Sequence, residues 1–225
     1  MIEKIIIVVG VPGSGKSTAL EKIESEIPNS KVINLGTEMF KRSQFKDRDE
    51  IRKNPNAKTV DAKIRKEIFE ELLSQGSALA GLDIKTVIID MHAVVKNPDG
   101  YNQGISDEDL KLLGAKLKAI INITAEPKEI IKRRSLDKSR QRDAETEEQI
   151  AEHQRISQET CERFSSIAGA RLYTLNNTYM SKDEMQKAVV GIVSAEVEKT
   201  MYEAKLVIAL LRSCKHERKR VASAA

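Results

Sequence analysis

The chain of 225 residues has two cysteines, no tryptophan, four phenylalanines, four tyrosines and five prolines. Each scarcity excludes something. Cys161 and Cys214 lie far apart, without the close spacing that a metal site or a redox dithiol needs, and they suit a reducing cytoplasm. So few aromatics, with no tryptophan, argue against a stacking platform for single-stranded nucleic acid, and no nucleic-acid partner is expected. No apolar run approaches the ~20 residues of a membrane span, and no membrane partner is expected. The first strand-like run begins within a few residues of Met1, so no signal peptide is expected either. A net charge of +4 is mild, while 40% hydrophobic and 32% charged residues describe a globular chain with length enough for one enzyme-sized domain or a small pair.

What the chain does have is concentrated at its start. Ile5, Ile6, Ile7, Val8 and Val9 form a β-branched run without alternation, the pattern of a parallel strand buried on both faces. Gly10, Val11, Pro12, Gly13, Ser14 and Gly15 follow, then Lys16, Ser17 and Thr18 open a helical stretch. Gly10-x-x-x-x-Gly15-Lys16-Ser17 is the P-loop pattern in its strand–turn–helix setting. Its glycines allow successive backbone N–H groups to face an anion, and the helix N-terminus adds more donors.

Further strands are expected at Lys31–Leu35, Thr86–Ile89, Ala119–Ile123 and Arg171–Leu175, separated by helix-length segments, which makes a five-stranded parallel α/β sheet. Residues 146 to 168 carry Ile150, Ser157, Cys161, Phe164 and Ile167 at helical spacing. Ser181-x-x-Glu184 is a capping box before a long helix with Met185, Val189, Ile192, Val193 and Val197 on one face. Two charged stretches, 41–67 and 132–148, interrupt the alternation where inserted segments would sit. The second holds Arg133, Arg134, Arg140 and Arg142, which could supply charge to a transferring phosphoryl group or form a solvated helix face. Val87-Ile88-Ile89-Asp90 ends an apolar strand in a carboxylate, which suits Mg²⁺ beside phosphates or a plain turn. His92 could touch a substrate phosphate or be structural.

Taken together, "GVPGSGKST" at 10–18, "NLGTEMF" at 34–40, "RDEIRK" at 48–53, "IDMHAVVKNPDGY" at 89–101, "RRSLDKSRQRD" at 133–143 and "EEQIAEH" at 147–153 resemble the archaeal-type adenylate kinases over about residues 1–200. The resemblance implies a P-loop kinase fold in a single domain, with helices on both faces of the sheet, a nucleoside-monophosphate-binding segment near 37–70 and a lid near 133–146. It implies the reaction of ATP with AMP to give two ADP, with Mg²⁺, in a cytoplasmic homo-oligomer, a trimer by family. Gly10 to Thr18 would cradle the ATP phosphates, with Lys16 on the β/γ oxygens. Ser17 would face the metal and Asp90 would hold it through water. Arg134, Arg140 and Arg142 would act on the phosphates, with Arg133 close by. Thr37, Arg48 and Arg52 would lie in the AMP segment, bordered by His92 and Lys96.

The chain departs from the family pattern in places. The family's "GYLPGLP" loop is here Gly100-Tyr101-Asn102-Gln103-Gly104-Ile105-Ser106, without either proline. The stretch between Phe40 and Arg48 is shorter than in the family. Residues 201–225 have no family counterpart and are expected to extend a helix through Met201, Ala204, Ile208 and Leu211 into a basic tail. A P-loop kinase with another acceptor, or a nucleic-acid-linked NTPase using that tail, are the alternative readings; the loop reports only on the phosphate donor.

Overall fold

The computed structural model describes residues 2–43, 57–74, 82–97, 100–137 and 145–198. Arg48, Arg52, Arg140, Arg142, Cys214 and the segment 201–225 lie outside the described residues.

Five strands form one parallel sheet in the order β2-β3-β1-β6-β7: β1 (Lys4–Val9), β2 (Ser30–Asn34), β3 (Thr86–Asp90), β6 (Leu117–Thr124) and β7 (Arg171–Asn176). The unbroken apolar run of β1 follows from its central place, because helices cover both faces. Ile5, Ile7 and Val9 join Ile64, Ile68 and Phe69 of α4 (Ala57–Leu73), Leu110 and Leu113 of α5 (Asp107–Leu113), and Cys161 and Phe164 of α7 (Glu147–Ala168). Ile6 and Val8 point the other way, into Ala19 and Leu20 of α1 (Lys16–Leu20), Ile23 of α2 (Ile23–Glu26), and Met185, Val189, Ile192 and Val193 of α8 (Lys182–Glu198). Every residue of β1 from Ile5 onward has essentially no solvent exposure. Each such side chain contributes about 1.5–3 kcal/mol of transfer free energy, most of it offset by the entropy of ordering the chain.

All five expected strands are present, with ends shifted by one or two residues. The second stops at Asn34 because its side chain caps the next helix, α3 (Leu35–Arg42), by accepting the Thr37 N–H at 2.9 Å. The long helix before β7 begins behind Thr146, which forms a capping box with Gln149, and buries Ile150, His153, Ser157, Cys161 and Phe164. The Ser181–Glu184 box also forms, through bonds of 2.7 and 3.3 Å.

One element was not expected. The stretch carrying the proline-free loop folds into an antiparallel hairpin, β4 (Val94–Asn97) with β5 (Gly100–Gln103). Its strands are four residues long and mostly half-exposed, so hydrophobic alternation carries little signal there. The hairpin lies against α7 through His153, whose ring centroid is 5.0 Å from that of Tyr101. A short helix, α6 (Pro127–Leu136), follows β6. Because the five strands run the same way, the loops after β1, β3, β6 and β7 converge at one edge of the sheet.

Candidate active site

The loop after β1 occupies the centre of that edge, held by side chains from four directions. Lys16 is buried and its Nζ donates to the carbonyl of Gly10 at 2.8 Å. Nδ1 of His92, just past the end of β3, lies 2.9 Å from the same carbonyl; a carbonyl only accepts, so the proton sits on Nδ1. Arg134, in the last turn of α6, donates from Nε to the Pro12 carbonyl at 2.9 Å. Asn177, directly after β7, donates from Nδ2 to the Ser14 carbonyl at 2.8 Å, and Arg133 reaches the same oxygen at 3.4 Å.

At two of the loop's glycines a side chain is opposed for two reasons each. Gly13 has φ +88°, and a Cβ there would sit 3.0 Å from Arg134 Cγ and 3.1 Å from Ile130 Cγ2. Gly15, the N-cap of α1, has φ +102°, and a Cβ there would overlap the Asn177 amide. Ser17 and Thr18 follow Lys16 in the first turn of α1, and Ser17 is exposed.

Beside the loop, Asp90 ends β3 in register with Val8 on one side and Asn34 on the other. Its Oδ2 accepts from Asn34 Nδ2 at 2.7 Å, while Oδ1 is buried with no hydrogen-bond partner among the described residues. Asn34 therefore links the carboxylate to α3, the element that carries Thr37. The described residues contain no cluster of three or more metal-ligating side chains. One carboxylate with a spare buried oxygen, next to a phosphate loop and a serine hydroxyl, fits a Mg²⁺ ion held chiefly by substrate phosphates and water.

A third feature joins α6 to the hairpin. Arg134 Nη1 donates to Glu145 Oε2 at 2.5 Å, and Lys96 Nζ of β4 donates to Glu145 Oε1 at 2.7 Å. Burial acts to raise the Glu145 pKa, but the two cationic donors prevail and hold it below the usual carboxylate value. The bond to Glu145 raises Lys96 in turn. The third guanidinium nitrogen, Arg134 Nη2, is buried without a hydrogen-bond partner among the described residues. Burial lowers the pKa of neighbouring His153, whose Nε2 lies 3.4 Å from the Val94 carbonyl.

Of the residues marked out in the sequence, Gly10 to Thr18, Asp90, His92 and Arg134 converge on this edge, and Thr37 stands one hydrogen-bonded residue away from Asp90, through Asn34. Arg133 and Arg134 pack on the phosphate loop from the end of α6. Lys96 meets Glu145. Glu145 and Asn177 carried no sequence signal, and Asn34 only that of opening the 34–40 motif, since each belongs to the site through partners 11, 163 and 56 positions away. The Asn following the last strand could have been found only by knowing that β7 ends beside β6.

The chain is similar to known proteins over most of its length. A family model described as an AAA domain matches residues 9–151. An adenylate kinase of Methanococcus aeolicus is 32% identical over 202 residues, spanning 86% of this chain and 99% of that one. The adenylate kinase of Pyrobaculum aerophilum is 31% identical over 195 residues, spanning 85% and 92%. Among solved structures, shikimate kinase from Bacteroides thetaiotaomicron superposes with a TM-score of 0.55 at 16% identity, over 87% of this chain and 98% of that one. Shikimate kinase from Acinetobacter baumannii, solved with shikimate, gives 0.57 at 13%, over 88% and 95%. At such low identity these two report the fold alone, a P-loop kinase fold. By its identity to these archaeal enzymes over most of both chains, the chain belongs to the archaeal-type adenylate kinase family.

Proposed function

We propose that the protein transfers the γ-phosphoryl group of ATP to AMP, reversibly, giving two ADP. The observation that carries the donor half of the reading is the phosphate loop with Lys16, flanked by a carboxylate with a spare oxygen and an arginine with a spare donor, while the identity to archaeal adenylate kinases supports AMP as the acceptor. Phosphoryl transfer needs positioning and charge neutralisation more than covalent chemistry, and these groups supply both. Mg²⁺, held by the phosphates with Ser17 and, through water, Asp90, would neutralise the charge on the β and γ oxygens. Lys16 would swing from the Gly10 carbonyl to a phosphate oxygen. Arg134 would give its unpaired Nη2 to the transferring group while Nε and Nη1 keep it anchored to Pro12 and Glu145.

Arg140 and Arg142 belong to this proposal as further donors to the phosphates. Thr37, Arg48 and Arg52 belong to it as the acceptor segment, and His92, held at the Gly10 carbonyl, would stand between the two. A cytoplasmic location and a trimeric assembly are part of the same proposal and rest on the family resemblance. No helix among the described residues is long and apolar enough to cross a membrane.

The test is a coupled assay with MgATP against AMP, CMP, GMP, UMP and non-nucleotide acceptors including shikimate. Turnover with AMP well above all others is the expected outcome. Preference for a non-nucleotide acceptor would overturn the reading while leaving the donor half intact.

A further inference from the structure

The carbonyls of the phosphate loop are taken up in an alternating pattern. Gly10, Pro12 and Ser14 each accept a hydrogen bond from a side chain outside the loop's backbone: Lys16 and His92, Arg134, and Asn177 with Arg133. A peptide group is planar and trans, so its C=O and the following N–H point in opposite directions. Fixing the carbonyl of Ser14 fixes the N–H of Gly15. At Gly15 no side chain restrains the backbone, and φ of +102° is one of several conformations a glycine adopts at little cost. The peptide's direction must therefore come from its partners.

Asn177 supplies that restraint. It is buried, its Nδ2 meets the Ser14 carbonyl at 2.8 Å, and it is itself immobilised at both backbone ends. Its N–H donates to Thr124 at 2.7 Å and its carbonyl accepts from Arg133 at 2.8 Å. We propose that Asn177 is a positioning residue for phosphate binding: it holds the Ser14 carbonyl away from the ligand so that the Gly15 N–H faces it. This rests on the reading that the loop takes a nucleoside triphosphate, and it adds a residue of the last strand to the donor site. The alternative role for a residue at this place is to line the site of the base, without acting through the loop.

The experiment separates the two by using a ligand that has no base. Asn177→Ala and Asn177→Leu are compared with the wild-type full chain for binding of MgATP, for competition by inorganic tripolyphosphate, for KM of both substrates, and for melting temperature. ATP and tripolyphosphate should both weaken, by similar factors of roughly 10- to 100-fold, as expected when a binding group is misplaced by about 1 Å. The KM for AMP should not move. Leucine restores the volume but not the donor, so it should be no better than alanine. Unchanged tripolyphosphate binding, or a leucine variant close to wild type, would overturn the proposal. If the leucine variant does not fold, the alanine variant's tripolyphosphate comparison decides alone. Since tripolyphosphate competition is read without any acceptor, failure of the chain to use AMP would leave this test standing.

Discussion

Lys16 is a side chain that the proposed reaction would use in two states. With its ammonium on the Gly10 carbonyl at 2.8 Å it closes the loop on itself, and in the proposed reaction the same atom would turn to a phosphate oxygen. Lys16→Met keeps the stem and removes the charge. The expected result is a fall in kcat of about 10²–10³-fold or more, the scale of losing one preorganised donor to a developing charge. The melting temperature should stay close to wild type, because Lys16 belongs to none of the apolar clusters of the core. Near-normal turnover in the folded variant would show that the lysine does not touch the transferring group. Asn34 works at the same scale, since one amide caps α3 with its oxygen and steadies Asp90 with its nitrogen.

Among elements, the corner where α6, α7 and the β4–β5 hairpin meet carries a pH dependence. His153 sits there, faced by Tyr101, Lys96, Arg134 and Glu145. Burial depresses its pKa below the ordinary 6.5. The unfolded chain therefore binds a proton that the folded chain refuses, so stability is full above pH 6.5 and is lost as the pH falls toward the folded value. Glu145 has the same sign lower down: its stabilisation is complete above the ordinary 4.5 and disappears as the pH drops through its depressed value. The melting temperature should thus fall in two stages on acidification. His153→Phe, which keeps the ring against Tyr101, should remove the first stage, and Glu145→Gln the second. A pH-independent gap between wild type and His153→Phe across pH 7 to 5 would refute this. The hairpin itself depended on α7 for its existence. Two strands of four residues are marginal alone, and packing against a buried histidine decides that they form.

For the whole molecule, the parallel sheet collects the phosphate loop, Asp90, the α6 arginines and α3 with Thr37 along one edge. A molecule joining two adenosines through five phosphates should engage donor and acceptor sites with a single cost of association. Its affinity should exceed that of ATP by about 10²-fold or more, and it should raise the melting temperature by mass action. Binding no tighter than ATP would mean that the two sites do not face each other as the reaction requires.

The sequence by itself determined the five strands of the parallel sheet, the phosphate loop, the strand-end carboxylate and the cap at Ser181. Each of these is a local pattern, set by β-branched runs, glycine spacing or a hydroxyl three residues before an acid. What only the tertiary structure decided were the partnerships across the sheet edge. Asn177 comes to Ser14 because β6 and β7 are neighbours and their ends lie beside the loop. Glu145 comes to Lys96 because the hairpin folds onto α7. Arg133 and Arg134 read in sequence as part of a charged run, either donors to a transferring phosphoryl group or a solvated helix face. Packed at the end of α6, they became the donors that hold Pro12 and Ser14, because hydrogen-bond geometry depends on distances in space that spacing along a chain does not encode.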